Sequence, residues 1–399
     1  MSSAAPKPVF LNRLGIVCAL GSGAPDVAHA LFASDAPGGL CVTDRYTPGR
    51  ALAVGEVPVA LPALDDVPVA MRTRNNALLR MAHAQIRDAV DAAVARWGAH
   101  RVAVIVGTST SGIGEAERAL PLRREHGQWP EGFHYAQQEI GAPSAFVAAE
   151  SGARGPAWTI STACSSSAKA LASAARLLRA GLADAVIAGG ADSLCGFTIS
   201  GFSALEAVSE ARCNPFSGNR CGINIGEGAA LFLMTREAGP VCLAGWGETS
   251  DAHHMSAPEP QGTGAIAAIE QALARAGIAA DEVDYVNLHG TATPQNDAME
   301  SRAVMATLGD RVPASSTKAL TGHTLGAAGA LEAGLCWLAM ADPEHRLPPH
   351  WWDGVPDPEL PALDFVAPGR RADAPLRYVL SNSFAFGGSN AALLFGRGP

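Results

Sequence analysis

The stretch "TISTACSSSAKALASAARLLRAG", residues 159–181, decides the fold. It opens on β-forming Thr and Ile and passes through a lone Cys164 flanked by Ala163 and Ser165. It then runs into small-residue helix periodicity over 165–180. A run dominated by Ala, Ser and Leu lets backbones approach closely, so the helix reads as buried. A cysteine at its start sits where unpaired N–H groups and the helix dipole favour negative charge. That placement predicts a lowered thiol pKa. An arbitrary cysteine is more often a small packed hydrophobe, so position alone does not decide its role.

Working outward, short Val- and Ile-rich runs read as strands: 101–107, 184–190, 229–234, 283–290 and 377–384. Periodic Ala-rich segments at 78–97, 165–180, 263–276 and 325–341 read as helices. Apolar strands alternating with helices predict a largely parallel α/β architecture. Residues 345–375 gather Pro and Gly and read as a long surface excursion. Two internal echoes suggest a duplicated unit. "VIVGTSTSG" (104–112) parallels "YVNLHGTATPQ" (285–295), and "ACSSSAKALASA" parallels "GHTLGAAGALEAG", each the start of a small-residue helix.

Composition narrows the function. The chain has 399 residues, enough for a large core, and carries a net charge of −9, which offers no global basic field for nucleic acid. No run of about 18 apolar residues predicts a membrane span, and the N-terminal stretch lacks the apolar core of a signal peptide. Eight cysteines without a CxxC pair read as reduced thiols, most of them packing residues, consistent with a cytoplasmic protein. His253 and His254 read as a solvated turn, and no Gly-Lys-Ser/Thr ending marks a phosphate loop, so no metal, nucleotide or other cofactor is assigned.

Two further stretches carry chemistry. In "NLHGTATPQNDAMES", His289 follows an apolar strand, with Thr291 and Thr293 beside it. In "SSTKALTGHTLGAAGALEAG", Lys318 precedes His323 by five residues and Glu332 follows it by nine. One cysteine and two histidines, each at a strand–helix junction, form a constellation that packing alone does not require.

These segments, with "NPFSGNRCGINIGEGAALFLM" and "NSFAFGGSNAALLF", resemble in order the β-ketoacyl-acyl carrier protein synthases, over about residues 8–397. The resemblance implies the thiolase fold: two pseudo-symmetric βαβαβαββ halves, residues 1–240 and 241–399, in a five-layered α-β-α-β-α core. It implies that Cys164 is the nucleophile and that His289 and His323, both neutral, donate Nε–H to the enolate formed when a malonyl group loses CO₂. Lys318 with Glu332 would hold the histidine region, with Asp297 and Glu300 supporting them. The amides of Cys164 and Phe386 would bind the acyl-transfer oxyanion. Phe384, Phe386, Gly387 and Gly388 would form the gate, and Thr291 and Thr293 would bind the pantetheine arm.

The implied reaction is decarboxylative Claisen condensation on acyl carrier protein, in fatty acid or polyketide synthesis. The implied assembly is a homodimer, or a heterodimer with a chain-length factor. The chain departs from the family at Cys221, where Asp is usual, and at Ala385, where many members have Gly; the latter predicts a stiffer gate. A thiolase would need a second catalytic cysteine in a C-terminal Cys-x-Gly motif, and no Cys follows residue 336. A Cys-His-Asn enzyme would lack His323. A non-catalytic chain-length factor would have lost Cys164. Basic residues for an acidic carrier protein are expected at Arg72, Arg74 and Arg80, with Arg123 and Arg124 as further candidates.

Overall fold

The computed structural model describes residues 8–399; the first seven residues of the stretch read for a signal peptide lie outside them. Strand β1 (Phe10–Cys18) is followed by helices α1 (Arg74–Ala84) and α2 (Arg87–Trp97), then β2 (Val102–Gly107), α3 (Ile113–His126) and α4 (Ala142–Ser151). Next come β3 (Ala157–Ile160), α5 (Ser166–Arg179), β4 (Ala185–Asp192), α6 (Gly196–Ala204) and β5 (Gly228–Thr235). The second half is β6 (Val241–Ser250), α7 (Thr263–Ala276), β7 (Tyr285–Asn287), α8 (Pro294–Leu308) and β8 (Pro313–Ser315). Helix α9 (Ala328–Ala341), β9 (Tyr378–Ala385) and β10 (Ser389–Arg397) close the chain.

The sheet runs β8-β7-β9-β10-β6-β1-β5-β4-β2-β3, with the short strand Asp364–Phe365 beyond β8. Counted from its own first strand, each half has the order 3-2-4-5-1. In each half the three outer strands are parallel and the two inner pairings are antiparallel. The sheet is therefore mixed, which corrects the expectation of a largely parallel one. The antiparallel character comes from the returning strands β5 and β10, the latter reached through the tight turn at Phe386–Gly388. Within the sheet, strands β1 and β6 join the halves by a short antiparallel pairing of Phe10–Leu11 with Val241–Cys242.

Both internal echoes occupy equivalent positions. The two strand segments are β2 and β7, and the two small-residue helices are α5 and α9. Burial follows the strand period. In β2, Val102, Val104 and Val106 face α1, α2 and α4, while Ala103 and Ile105 face the opposite layer. That inner layer is α5 and α9, whose Leu171, Leu178, Leu331 and Leu335 pack against strands of both halves. On the far side, Ile269 and Leu273 of α7 and Val304 of α8 cover Val286, Leu380 and Leu394. Helix, sheet, helix pair, sheet, helix is the five-layered order expected.

The two central helices touch closely. A Cβ on Gly329 would lie 2.7 Å from Ala168 Cβ, and Ser167 Oγ accepts from Ala330 N at 2.8 Å.

Candidate active site

Cys164 lies at the carboxyl end of β3 and one residue before Ser165, the N-cap of α5. The chain reaches it through Ala163, which holds φ at +51°, a conformation that costs a non-glycine residue of order 1 kcal/mol or more. Ser166 secures the turn: its Oγ donates to Ala163 O and accepts from Thr162 N at 2.8 Å. His289 leaves the end of β7, and Lys318 and His323 follow β8, so all four groups gather at the carboxyl ends of parallel strands.

The geometry is compact. Cys164 Sγ lies 3.0 Å from His323 Nε2. The two imidazoles stand edge to face at 5.2 Å between centroids. Donor atoms of Cys164, His289 and His323 all lie within 4.8 Å of one another. A soft cation could use this trio only by displacing the thiol proton. Cys164, His289, Lys318 and His323 are buried. Lys318 Nζ donates to Glu332 Oε1 at 2.5 Å and to the His289 carbonyl, and lies 3.4 Å from His289 Nδ1. A cation facing Nδ1 leaves the imidazole proton on Nε2, the side turned toward Cys164 and His323.

Burial pushes the Cys164 thiol up to about 11, against the opposing pull of Lys318 and of a backbone hydrogen bond from Phe386. This corrects the expected lowering: desolvation outweighs the helix start, and at neutral pH the resting sulfur is a thiol. Burial, then Lys318, hold both His289 and His323 well below the ordinary imidazole range, so both are neutral.

Glu300 accepts from His289 N at 2.8 Å and Gly290 N at 2.7 Å, with Asn382 Nδ2 at 3.2 Å, and burial raises its carboxyl to about 7. Asp297 accepts from Phe216 N at 2.7 Å and Ala292 N at 3.2 Å, and burial raises it to about 6. Neither carboxylate meets Lys318; they grip the backbone on either side of Thr291. Thr291 and Thr293 face each other at 3.0 Å between hydroxyls.

Above the sulfur the space closes to about 10 Å³ between Phe202, Phe384 and Phe386, with both threonines on its wall. Outside it opens a vestibule of about 360 Å³ past Thr293, Asn296 and Phe386. The Phe386 ring packs on Phe202 at 5.6 Å, so the two aromatics form the partition. Phe202 carried no signal in the sequence: it lies in "GFSALEAV" without a motif and gains its place only by tertiary packing. Positive φ falls on Gly387 (80°) and Gly388 (74°), whereas Ala385 is extended at φ −99°. The methyl group at 385 therefore carries no strain in this state.

Two surface readings change. Arg74 pairs with the buried Glu227 at 2.5 and 2.7 Å, and Arg80 is bound by Asp66 and Glu150. Arg72 donates to the Val67 and Asp65 carbonyls. All three guanidinium groups are engaged within the fold, Arg74 and Arg80 by carboxylates and Arg72 by backbone carbonyls alone. Arg123 and Arg124 are exposed, Arg123 lying over Trp129 at 4.4 Å. Next to Cys221, Arg220 pairs at 2.5 Å with Asp357 of the Pro-rich excursion, a partner supplied from elsewhere in the chain.

The doubled 3-2-4-5-1 sheet around paired central helices is the thiolase fold, and the thiol between two neutral imidazoles suits an acyl-transferring member of it. The description "Beta-ketoacyl synthase, N-terminal domain" matches residues 68–238, and "Beta-ketoacyl synthase, C-terminal domain" matches residues 241–350. This chain belongs to the β-ketoacyl synthase family. It is 32% identical to 3-oxoacyl-[acyl-carrier-protein] synthase 2 of Coxiella burnetii, over 98% of this chain and 99% of that protein. The same-named Staphylococcus aureus protein is 38% identical over 266 residues, 65% of its length, so the match spans slightly under two thirds of that relative.

Among solved structures, the ketosynthase (ApeO) in complex with its chain length factor (ApeC) from Xenorhabdus doucetiae matches at TM-score 0.89 and 45% identity over the full length of both chains. A β-ketoacyl synthase from Burkholderia phymatum STM815 matches at 0.87 and 29%, over 98% of this chain and 99% of that one.

Proposed function

We propose that this chain catalyses decarboxylative condensation of a Cys164-bound acyl group with a malonyl group on acyl carrier protein, yielding a 3-oxoacyl product. The carrying observation is the 3.0 Å contact between Cys164 Sγ and His323 Nε2 beside a second neutral imidazole. Because the thiol is protonated at rest, His323 Nε2 takes its proton as sulfur attacks the acyl thioester. The pantetheine sulfur leaves and recovers that proton, and the acyl group stays on Cys164. The amides of Cys164 and Phe386 face the sulfur and are placed to hold the oxyanion of this transfer.

The Phe386–Gly388 turn must then admit the malonyl arm, which Thr291 and Thr293 receive. Loss of CO₂ leaves an enolate whose oxygen accepts from the Nε2–H of His289 and, once His323 has moved its one remaining proton from Nδ1 to Nε2, from His323 as well. Lys318, neutralised by Glu332, keeps the His289 proton on Nε2. The enolate carbon attacks the Cys164 thioester, the carbon–sulfur bond breaks, and the freed thiolate takes up from solvent the one proton that the overall decarboxylation consumes. Glu300 and Asp297 hold the loop between His289 and α8.

The site needs no cofactor in this scheme. We place the boundary of the two halves at 240/241 and the protein in the cytoplasm, a reading supported by eight cysteines that are all free thiols. No helix among the described residues is long and apolar enough to cross a membrane. The partners are acyl carrier protein and a second subunit. The likeness to a ketosynthase complexed with its chain length factor favours a heterodimer of that kind over a homodimer.

The deciding experiment is intact-protein mass spectrometry after incubation with a panel of acyl-carrier substrates, with ¹⁴CO₂ release from malonyl-carrier measured in parallel. Acylation should map to Cys164, and Cys164→Gln should still release CO₂ while forming no product. Normal condensation by Cys164→Gln would sink the assignment. The rival reading, a non-catalytic chain-length factor, predicts neither acylation nor CO₂ release.

A further inference from the structure

The Pro-rich excursion after α9 brings one polar side chain into the interior. His350 is buried at 2% exposure, in "LPPHWWDG", and its ring stacks on Phe365 at 4.2 Å and 13°. Its two nitrogens do different things. Nδ1 accepts from Ser316 N at 3.1 Å, and Nε2 faces the Pro215 carbonyl at 3.1 Å. An acceptor on one side and a carbonyl on the other require the neutral Nε2–H tautomer. Burial agrees, lowering this imidazole to about 4.

Both partners lead to the proposed catalytic groups. Ser316 lies two residues before Lys318, and its Oγ donates to the Gly290 carbonyl at 2.7 Å, directly after His289. Pro215 precedes Phe216, whose N–H donates to Asp297, the carboxylate that also holds Ala292. Gly290 sits in the resulting slot: a Cβ there would meet Ser316 Cβ at 2.5 Å and Phe216 Cε2 at 3.0 Å. One imidazole thus fixes both walls between which the His289–Gly290 turn is set.

We infer that His350 is a positioning residue for decarboxylation, clamping the Ser316 and Pro215–Phe216 loops so that His289 and Lys318 stay in register. It touches neither substrate nor thiol and acts through the His289 turn, so the inference rests on the proposed role of His289. The side chain must offer an acceptor and a donor about one ring apart. Phe can keep the stacking but neither hydrogen bond, and Asn can keep the acceptor for Ser316.

The test compares His350→Phe, His350→Asn and Ser316→Ala in the full chain. His350→Phe is expected to lower kcat for malonyl-carrier decarboxylation about tenfold, leaving KM and the rate of Cys164 acylation within about twofold. His350→Asn should recover part of the loss. Ser316→Ala should reproduce it, and the His350→Phe/Ser316→Ala double variant should be no worse than the poorer single variant, as expected for one chain of contacts. ¹⁵N-imidazole spectra should show His289 leaving its single Nε2–H tautomer in His350→Phe, a readout independent of turnover.

Decarboxylation unchanged in His350→Phe would overturn the inference. So would decarboxylation and acylation falling in proportion, or an unchanged His289 spectrum. If His350→Phe does not fold, Ser316→Ala and His350→Asn decide by the same split. A wild-type protein that releases no CO₂ would instead overturn the proposed reaction, while the His289 spectra would still report the clamp.

Discussion

At the scale of single residues, burial sets the chemistry more than sequence neighbours do. Cys164 stood out in the sequence by its motif, and the fold sets it beside two imidazoles, but the direction of its pKa was not legible. The helix start is visible in sequence, whereas the apolar walls that raise the thiol to about 11 come from Phe202, Ile223 and Phe384, distant in the chain. Alkylation by iodoacetamide should therefore accelerate about tenfold per pH unit and still be climbing at about pH 9.5, since burial favours the neutral form. A plateau near pH 8 would show a lowered thiol instead.

The two histidines should separate. His289→Ala loses one enolate donor, worth about 3–4 kcal/mol, and is expected to slow decarboxylation by about two to three orders of magnitude while sparing Cys164 acylation. His323→Ala removes both a donor and the acceptor of the thiol proton, so both steps should slow. Single-turnover acylation followed by mass spectrometry distinguishes them, and equal acylation by the two variants would remove His323 as the proton acceptor.

Among the elements, helices with clean periodicity were readable: 263–276 and 165–180 coincide with α7 and α5 to within a residue. The expected helix at 78–97 is broken after Ala84. There Gln85 leaves the helix to exchange hydrogen bonds with the Ile16 backbone at 2.9 and 3.0 Å. No local signal reveals a contact 69 residues away. Strand β6, "VCLAGWGETS", was missed because Gly245 and Gly247 argue against a strand. Both lie under α7, where an added Cβ would fall 2.0 Å from Ala272 O and 1.7 Å from Ala268 O, so the glycines serve helix–sheet approach. The same logic at the α5–α9 contact makes Gly329→Val destabilising by about 1–3 kcal/mol, measured by urea unfolding. An unchanged midpoint would mean that the helices can part without cost.

For the whole molecule, the echoes in sequence suggested two halves, and the family resemblance implied the five-layered stacking. The docking surface was less legible, because arginine looks alike in sequence whether solvated or paired. Only the fold shows that Arg74 and Arg80 are committed to Glu227, Asp66 and Glu150. Charge reversal of the exposed Arg123 and Arg124 together should raise KM for an acidic carrier several-fold at low salt and flatten its salt dependence. An unchanged KM at low ionic strength would locate docking elsewhere.

The seam where Phe10–Leu11 meets Val241–Cys242 has a consequence for synthesis on the ribosome. Every strand of the first half-sheet, from β1 to β5, has been made by Thr235, before β6 emerges. The nascent chain can thus assemble one complete sheet with α5 against it, then recruit the second as a ready-made template for α9. Cut between residues 239 and 241, the protein becomes a pair of fragments whose apolar inner faces complement each other. Co-expressed halves should reassemble with partial activity, whereas halves purified apart should aggregate through the exposed α5 and α9 faces.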